Sequence, residues 1–413
     1  DLTLTTPAYN SVDDTGGVTG SGTGDDNTPA FAVKVGSGNT TIDGADADPD
    51  NTDIVDIEVD ASALAGVSDS TLTLDGTAEY RVVNNGTGIA RLDISAIADD
   101  NTLTLEGTGG FELTGTQADI DATALSGEVQ VRTLDDGQPT AIEVDAGTGP
   151  TTVDAVESGD SVTLNAGLLL DDGDDVRNTD EDEGGGTVTD VTEVFVEGSG
   201  DVVVNDLSAD LDASSHAGSL SIDVAQITTA NADGVIVDDV DITLGEQGGI
   251  VAIDQNNVGG AFIDADNVGS GQTVDIRGVD QDVEVINLAD GITLDARTGG
   301  AQAFGGELVL EASSGAENVD VLTGTGATSL LADGGSATVD ASTLLDQDLT
   351  LEGSSTITVD DLSTDLAAGA TSGEVIVNTA AITGTEDGSG NQTAALDITA
   401  GTGRLKVDGD DSD

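Results

Sequence analysis

Along this chain, hydrophobic and polar residues alternate over short runs that stop at clusters of Gly, Asp, Asn and Ser, as in Leu103-Thr-Leu-Glu-Gly and Leu349-Thr-Leu-Glu-Gly. A period of two predicts strands with one buried face, and the clusters between them predict tight turns. No stretch holds a helical period. A phrase of an aliphatic residue, Asp and a small residue, often followed by Ser or Thr, recurs as Val59-Asp60-Ala61-Ser62, Leu92-Asp93-Ile94-Ser95, Ile120-Asp121-Ala122-Thr123 and Val153-Asp154-Ala155. It returns at Leu211-Asp212-Ala213-Ser214, Leu294-Asp295-Ala296, Val339-Asp340-Ala341-Ser342 and Leu396-Asp397-Ile398-Thr399. The first four phrases are 33, 28 and 33 residues apart, and Leu211 lies 58 beyond Val153.

Repetition at that period predicts an array of stacked units. Three stretches, Leu103 to Thr133, Val194 to Val224 and Leu349 to Thr379, align without a gap and share Glu106/Glu197/Glu352 and Gly107/Gly198/Gly353. Three strands and three turns fit in each step. The predicted fold is therefore all-β, a right-handed parallel β-solenoid of roughly a dozen coils of about 27–33 residues. A propeller would need longer blades with their own signature. Residues 1–55 depart from the unit and are predicted to be a cap or assembly segment; 56–407 form the repeat domain, with an acidic loop near 168–186, and 408–413 an acidic tail.

Charge sharpens this picture. The 413 residues include 81 acids and 9 bases, one His and no Cys, Met or Trp, for a formal net charge of −72. Thiol chemistry and Cys-ligated metal centres lack their residues, and nucleic acid or anionic lipid would be repelled. Self-repulsion on this scale calls for cations from the surroundings. No apolar stretch is long enough for a transmembrane helix. The start at Asp1, without an initiator Met or leader, predicts a processed or trimmed product.

Equivalent positions in a parallel stack lie one above another, so Asp60, Asp93 and Asp121 are expected to form carboxylate ladders about 5 Å apart. Neighbouring charges at that spacing repel by about 0.8 kcal/mol in water, and Ca²⁺, a hard cation with oxygen ligands, is one answer to that. A second candidate is the acidic segment Asp43, Asp46, Asp48, Asp50 and Asp53. It resembles the opening of a calcium loop but has Asn51 where the turn Gly of an EF-hand belongs and Ile57 where its bidentate Glu belongs. The single His, His216, reads as a turn residue rather than a general base. Lys34 and Lys406, near opposite ends, are each expected to face a carboxylate of a neighbouring copy in a polymer.

The unit from Leu103 through Ile120-Asp-Ala-Thr-Ala-Leu-Ser-Gly resembles the β-strand repeats of prokaryotic surface and secreted proteins: adhesins, surface-layer and extracellular-matrix proteins, often calcium-stabilised. The calcium nonapeptide Gly-Gly-x-Gly-x-Asp of the RTX group is missing. The resemblance implies an extracellular or cell-surface structural protein rather than an enzyme, binding Ca²⁺ and other divalent cations and assembling with copies of itself. A carbohydrate-binding or carbohydrate-cleaving β-helix is the rival expectation.

Overall fold

A computed structural model of the chain describes residues 2–5, 31–44, 57–98, 101–169, 194–225, 240–253, 260–278, 282–297, 304–344, 347–379 and 397–408. The described residues are all-β. Short strands follow one another alternately in two sheets, and each pairs in parallel with strands of its own sheet, which is a parallel β-solenoid. The chain divides into two compact units, 1–170 with 192–209, and 171–191 with 210–413. No helix among the described residues is long and apolar enough to cross a membrane.

Alternation makes the core. In Leu103–Leu105 and Val129–Val131 of the first unit, and in Val339, Leu349–Leu351 and Val375–Val377 of the second, the apolar residues are buried and the residues between them point outward. Each fully buried aliphatic side chain contributes about 1.5–3 kcal/mol, so long files of Val, Leu and Ile hold the coils together. At the end of the Leu-x-Leu-Glu-Gly strands the chain must turn beside the neighbouring coil. Gly107, Gly198 and Gly353 take φ of +118°, +89° and +100°, and a Cβ on any of them would lie 2.1 Å from a carbonyl oxygen of that coil. Only glycine meets both demands.

The coil itself is shorter than the sequence step suggests. In the first unit Leu72 pairs with Leu92, Leu92 with Leu113, Phe111 with Val129 and Val129 with Thr151, steps of 20, 21, 18 and 22 residues. In the second, Val274 pairs with Leu294, Val321 with Val339 and Val339 with Val359, steps of 20, 18 and 20. The recurring phrase does span three strands: Val59 lies in Ile57–Asp60, Leu92 in Ile89–Ile97, Ile120 in Asp119–Leu125 and Val153 in Thr151–Ala155, the fourth, seventh, tenth and thirteenth strands. A coil contains two strands, so three strands make one and a half coils. These four phrases therefore alternate between the two sheets.

The N-terminal strands belong to the same ladders. Leu2–Thr5 pairs with Thr40–Gly44, which pairs with Leu72–Gly76, and Phe31–Lys34 pairs with Ile57–Asp60.

Candidate functional site: the outward carboxylate columns

The alternation of sheets changes what the recurring Asp does. Asp60 is in register with Lys34 and Val83, Asp93 with Thr73 and Thr114, and Asp121 with Thr104 and Asp145. The expected ladder of Asp60, Asp93 and Asp121 is thus not formed, because neighbouring phrases lie on different sheets. Each carboxylate instead bonds the backbone two residues on, at the end of the strand for Asp60 and Asp340 and at a register shift within the strand for Asp93 and Asp121. Asp60 Oδ1 accepts from the Ser62 N–H at 3.1 Å, Asp93 from Ser95 at 3.2 Å, Asp121 from Thr123 at 3.1 Å and Asp340 from Ser342 at 3.0 Å. The hydroxyls of Ser95 and Thr123 donate to the same oxygens at 2.7 and 2.6 Å. This is the Asx-turn geometry, in which a short acidic side chain satisfies a backbone donor that the sheet has left.

True columns exist elsewhere. In the first unit Asp121, Asp145, Asn165 and Asn205 stack in register on one outward row. The Asn165 amide donates to Asp145 at 2.6 Å and to Glu143 at 2.7 Å, and Asn205 donates to Asn165 Oδ1 at 3.0 Å. In the second unit the row is Asp275, Asp295, Leu322, Asp340 and Asp360. Arg297 reaches over Leu322 within this row, with Nη1 2.6 Å from Asp340 and Nε 3.7 Å from Asp295. Asn378 donates to Asp360 at 2.6 Å.

Every base among the described residues is held by a carboxylate of its own chain. Lys34 binds Asp60 at 2.6 Å, Arg91 binds Glu112 at 2.7 Å, Arg132 lies 3.5 Å from Asp154 and Arg404 lies 3.3 Å from Glu374. Arg81 lies between Glu58 and Glu106, Arg277 grips Asp275, and Lys406 pairs with Asp408. The side chains of Lys34 and Lys406, expected to face a neighbouring copy, are thus engaged within the chain. The Lys34 bond, with the Ser62 bonds after it, holds the Asp60 carboxyl below its ordinary range.

Of the acidic segment, Asp43 lies on Thr40–Gly44 in register with Asp75. Asp46, Asp48, Asp50 and Asp53 lie outside the described residues. Among the described residues no group of three or more His, Cys, Asp or Glu is arranged to hold a metal ion. His216 is buried at a corner, its backbone N–H donating to Ala213 O at 2.8 Å and its Nε2 3.3 Å from Ser219 O.

Asp160, the most deeply buried carboxylate among the described residues, is not among the candidates the sequence offers. Asp160 is 1% exposed and accepts from the Thr133 hydroxyl at 2.5 Å, the Thr140 N–H at 2.9 Å and the Glu157 N–H at 3.1 Å. It ties a turn to the coil beside it. Burial raises the pKa of nearby Asp154; Arg132 opposes that shift and the Asp160 charge adds to it. The signal for Asp160 was its place three residues after Glu157 in a Ser-Gly-Asp turn, which the abundance of such turns concealed. Compared with known proteins, this chain matches no family model, no curated protein and no solved structure.

Proposed function

We propose that this chain is a structural, extracellular or cell-surface solenoid. Its acidic exterior recruits divalent cations such as Ca²⁺, and through them the solenoid assembles with copies of itself. One observation carries the reading: the described bases are already engaged within the chain, while acids of neighbouring coils still stack in register on the outer face, as Asp121 does upon Asp145 and Asp43 upon Asp75. With 81 acids against 9 bases, compensation for the remainder has to come from solution. Two acidic surfaces meet only when cations screen or bridge them, which makes cohesion conditional on the medium.

Electron microscopy and circular dichroism of the purified chain in EDTA, in millimolar Ca²⁺ and in NaCl of matched ionic strength test this. Filaments or ordered bundles that require Ca²⁺ are expected. Assembly that follows ionic strength alone removes the bridging role of divalent cations, and dispersed folded particles in all three media overturn the assembly reading.

A further inference from the structure

In the second unit an open groove of about 530 Å³ crosses the corners of three successive coils, where the chain enters the strands Leu220–Val224, Gly248–Ile253 and Thr273–Arg277. Gly248 and Gly249 lower its floor. Gly248 has φ of +71°, and a Cβ there would lie 2.3 Å from the Thr273 carbonyl oxygen, so no larger residue fits. Val251 and Ile253 point into the core, which turns Ile250 to the outer face as a half-buried apolar surface. Gln247, Gln272 and Thr273, residues that carry amides and a hydroxyl, line the groove with it.

The chemistry of the walls selects a ligand. The one carboxylate that lines the groove, Asp275, is gripped by Arg277 through Nε at 3.2 Å from both oxygens and Nη2 at 2.6 Å, so the lining carries an internally compensated charge. A cation gains little there, and an anion is repelled by a chain of net charge −72. Primary amides and hydroxyls donate and accept hydrogen bonds equally, and Ile250 offers an apolar face between them. The corners repeat at the strand spacing of about 4.8 Å, which suits a ligand that itself repeats. The volume lies within the range of small-molecule sites, about 300–1,000 Å³.

We infer that this groove binds a neutral oligosaccharide chain laid across the coils, its hydroxyls meeting Gln247, Gln272 and Thr273 and the C–H face of a ring meeting Ile250. This assignment is independent of cation-dependent assembly.

Isothermal titration calorimetry of the full chain tests it, with β-1,4- and α-1,4-linked glucose hexamers, a mannose hexamer, a galacturonate hexamer and a neutral Gly/Ser/Thr peptide as probes. At least one neutral hexaose is expected to bind saturably, with an affinity that does not change between low and molar NaCl. Gln247→Ala with Gln272→Ala is expected to weaken that binding by about tenfold, the loss of two neutral hydrogen bonds. Since Gln247 is exposed and Gln272 half-buried, circular dichroism of the double variant is expected to match the parent. Failure of every neutral hexaose to bind overturns the assignment. So does unchanged binding in the folded double variant, preference for the galacturonate hexamer, or binding of the peptide alone.

Discussion

In the first unit, the outward row Asp121, Asp145, Asn165, Asn205 answers carboxylate stacking with amides; in the second, the row Asp275, Asp295, Leu322, Asp340, Asp360 answers it with Arg297. Asn165 divides its two N–H groups between Asp145 and Glu143, so one neutral side chain stabilises two charges, and Asn205 beside it adds an Asn–Asn bond. Arg297 spans the coil that carries Leu322 and links carboxylates on either side of it. The amide rung leaves the net charge untouched, whereas the arginine rung reduces its magnitude by one. In a chain with so few bases, the amide is the device that can be repeated.

The largest expected effect comes from breaking the amide rung. Asn165→Asp removes two N–H bonds to carboxylates and sets a third charge between Glu143 and Asp145. A loss of roughly 3 kcal/mol at low salt is expected, shrinking in molar NaCl as the added charge is screened. Urea unfolding of the intact chain at the two salt concentrations measures it, and an equal loss at both would show that repulsion is not the cause.

Breaking the arginine rung costs less. Arg297→Met keeps the aliphatic stem over Leu322 but strands Asp295 and Asp340, with about 1–2 kcal/mol expected at low salt and less at high salt. Arg297→Lys, a point charge in place of a fork, is expected to fall between. A lysine variant as weak as the methionine variant would place the value of the rung in its bidentate reach rather than its charge.

The Asp154–Asp160 corner sharpens the comparison because no amide stands between these acids. Burial raises the pKa of Asp154 in the folded chain, so folding favours its protonated form. Its contribution is therefore most favourable at a pH below the ordinary carboxylate range and is lost as pH rises through the raised value. Asp154→Asn should flatten that part of the pH–stability curve and stabilise the chain at neutral pH, apart from the lost Arg132 contact at 3.5 Å. A curve identical to the parent would remove Asp154 as its source.

Much of this architecture was legible in the chain. Leu103/Leu105 and Leu349/Leu351 announce strands with one buried face, and Gly107, Gly198 and Gly353 announce turns; all lie where the alternation places them. The coil length was not legible, because the first four phrases count strands in threes while the fold stacks them in twos. Everything that depends on register was hidden with it: which carboxylates share a row, that Asn165 and Asn205 belong to that row, and that Arg297 reaches Asp340, 43 residues away in sequence. Asp160 was concealed differently, since its environment comes from Thr133 at the end of one strand and Thr140 just before another.

The smallest expected effect is the one that separates the two accounts of the recurring Asp. As a turn residue, Asp121 needs only an acceptor for the Thr123 N–H and hydroxyl, which lie at 3.1 and 2.6 Å. Asn offers the same oxygen and removes a charge from beside Asp145. Asp121→Asn should therefore stay within about 0.5 kcal/mol of the parent in EDTA, whereas Asp121→Ala should lose about 1 kcal/mol. A carboxylate that ligates Ca²⁺ behaves otherwise, because a hard divalent cation draws much of its affinity from ligand charge. If millimolar Ca²⁺ raises the unfolding midpoint of the parent and of Asp121→Asn alike, the cations sit elsewhere, and Asp121 is a turn residue whose charge the row tolerates. If the increment disappears in Asp121→Asn while the EDTA stabilities agree, the row from Asp121 to Asp145 holds the ion, with the amide of Asn165 closing it on one side.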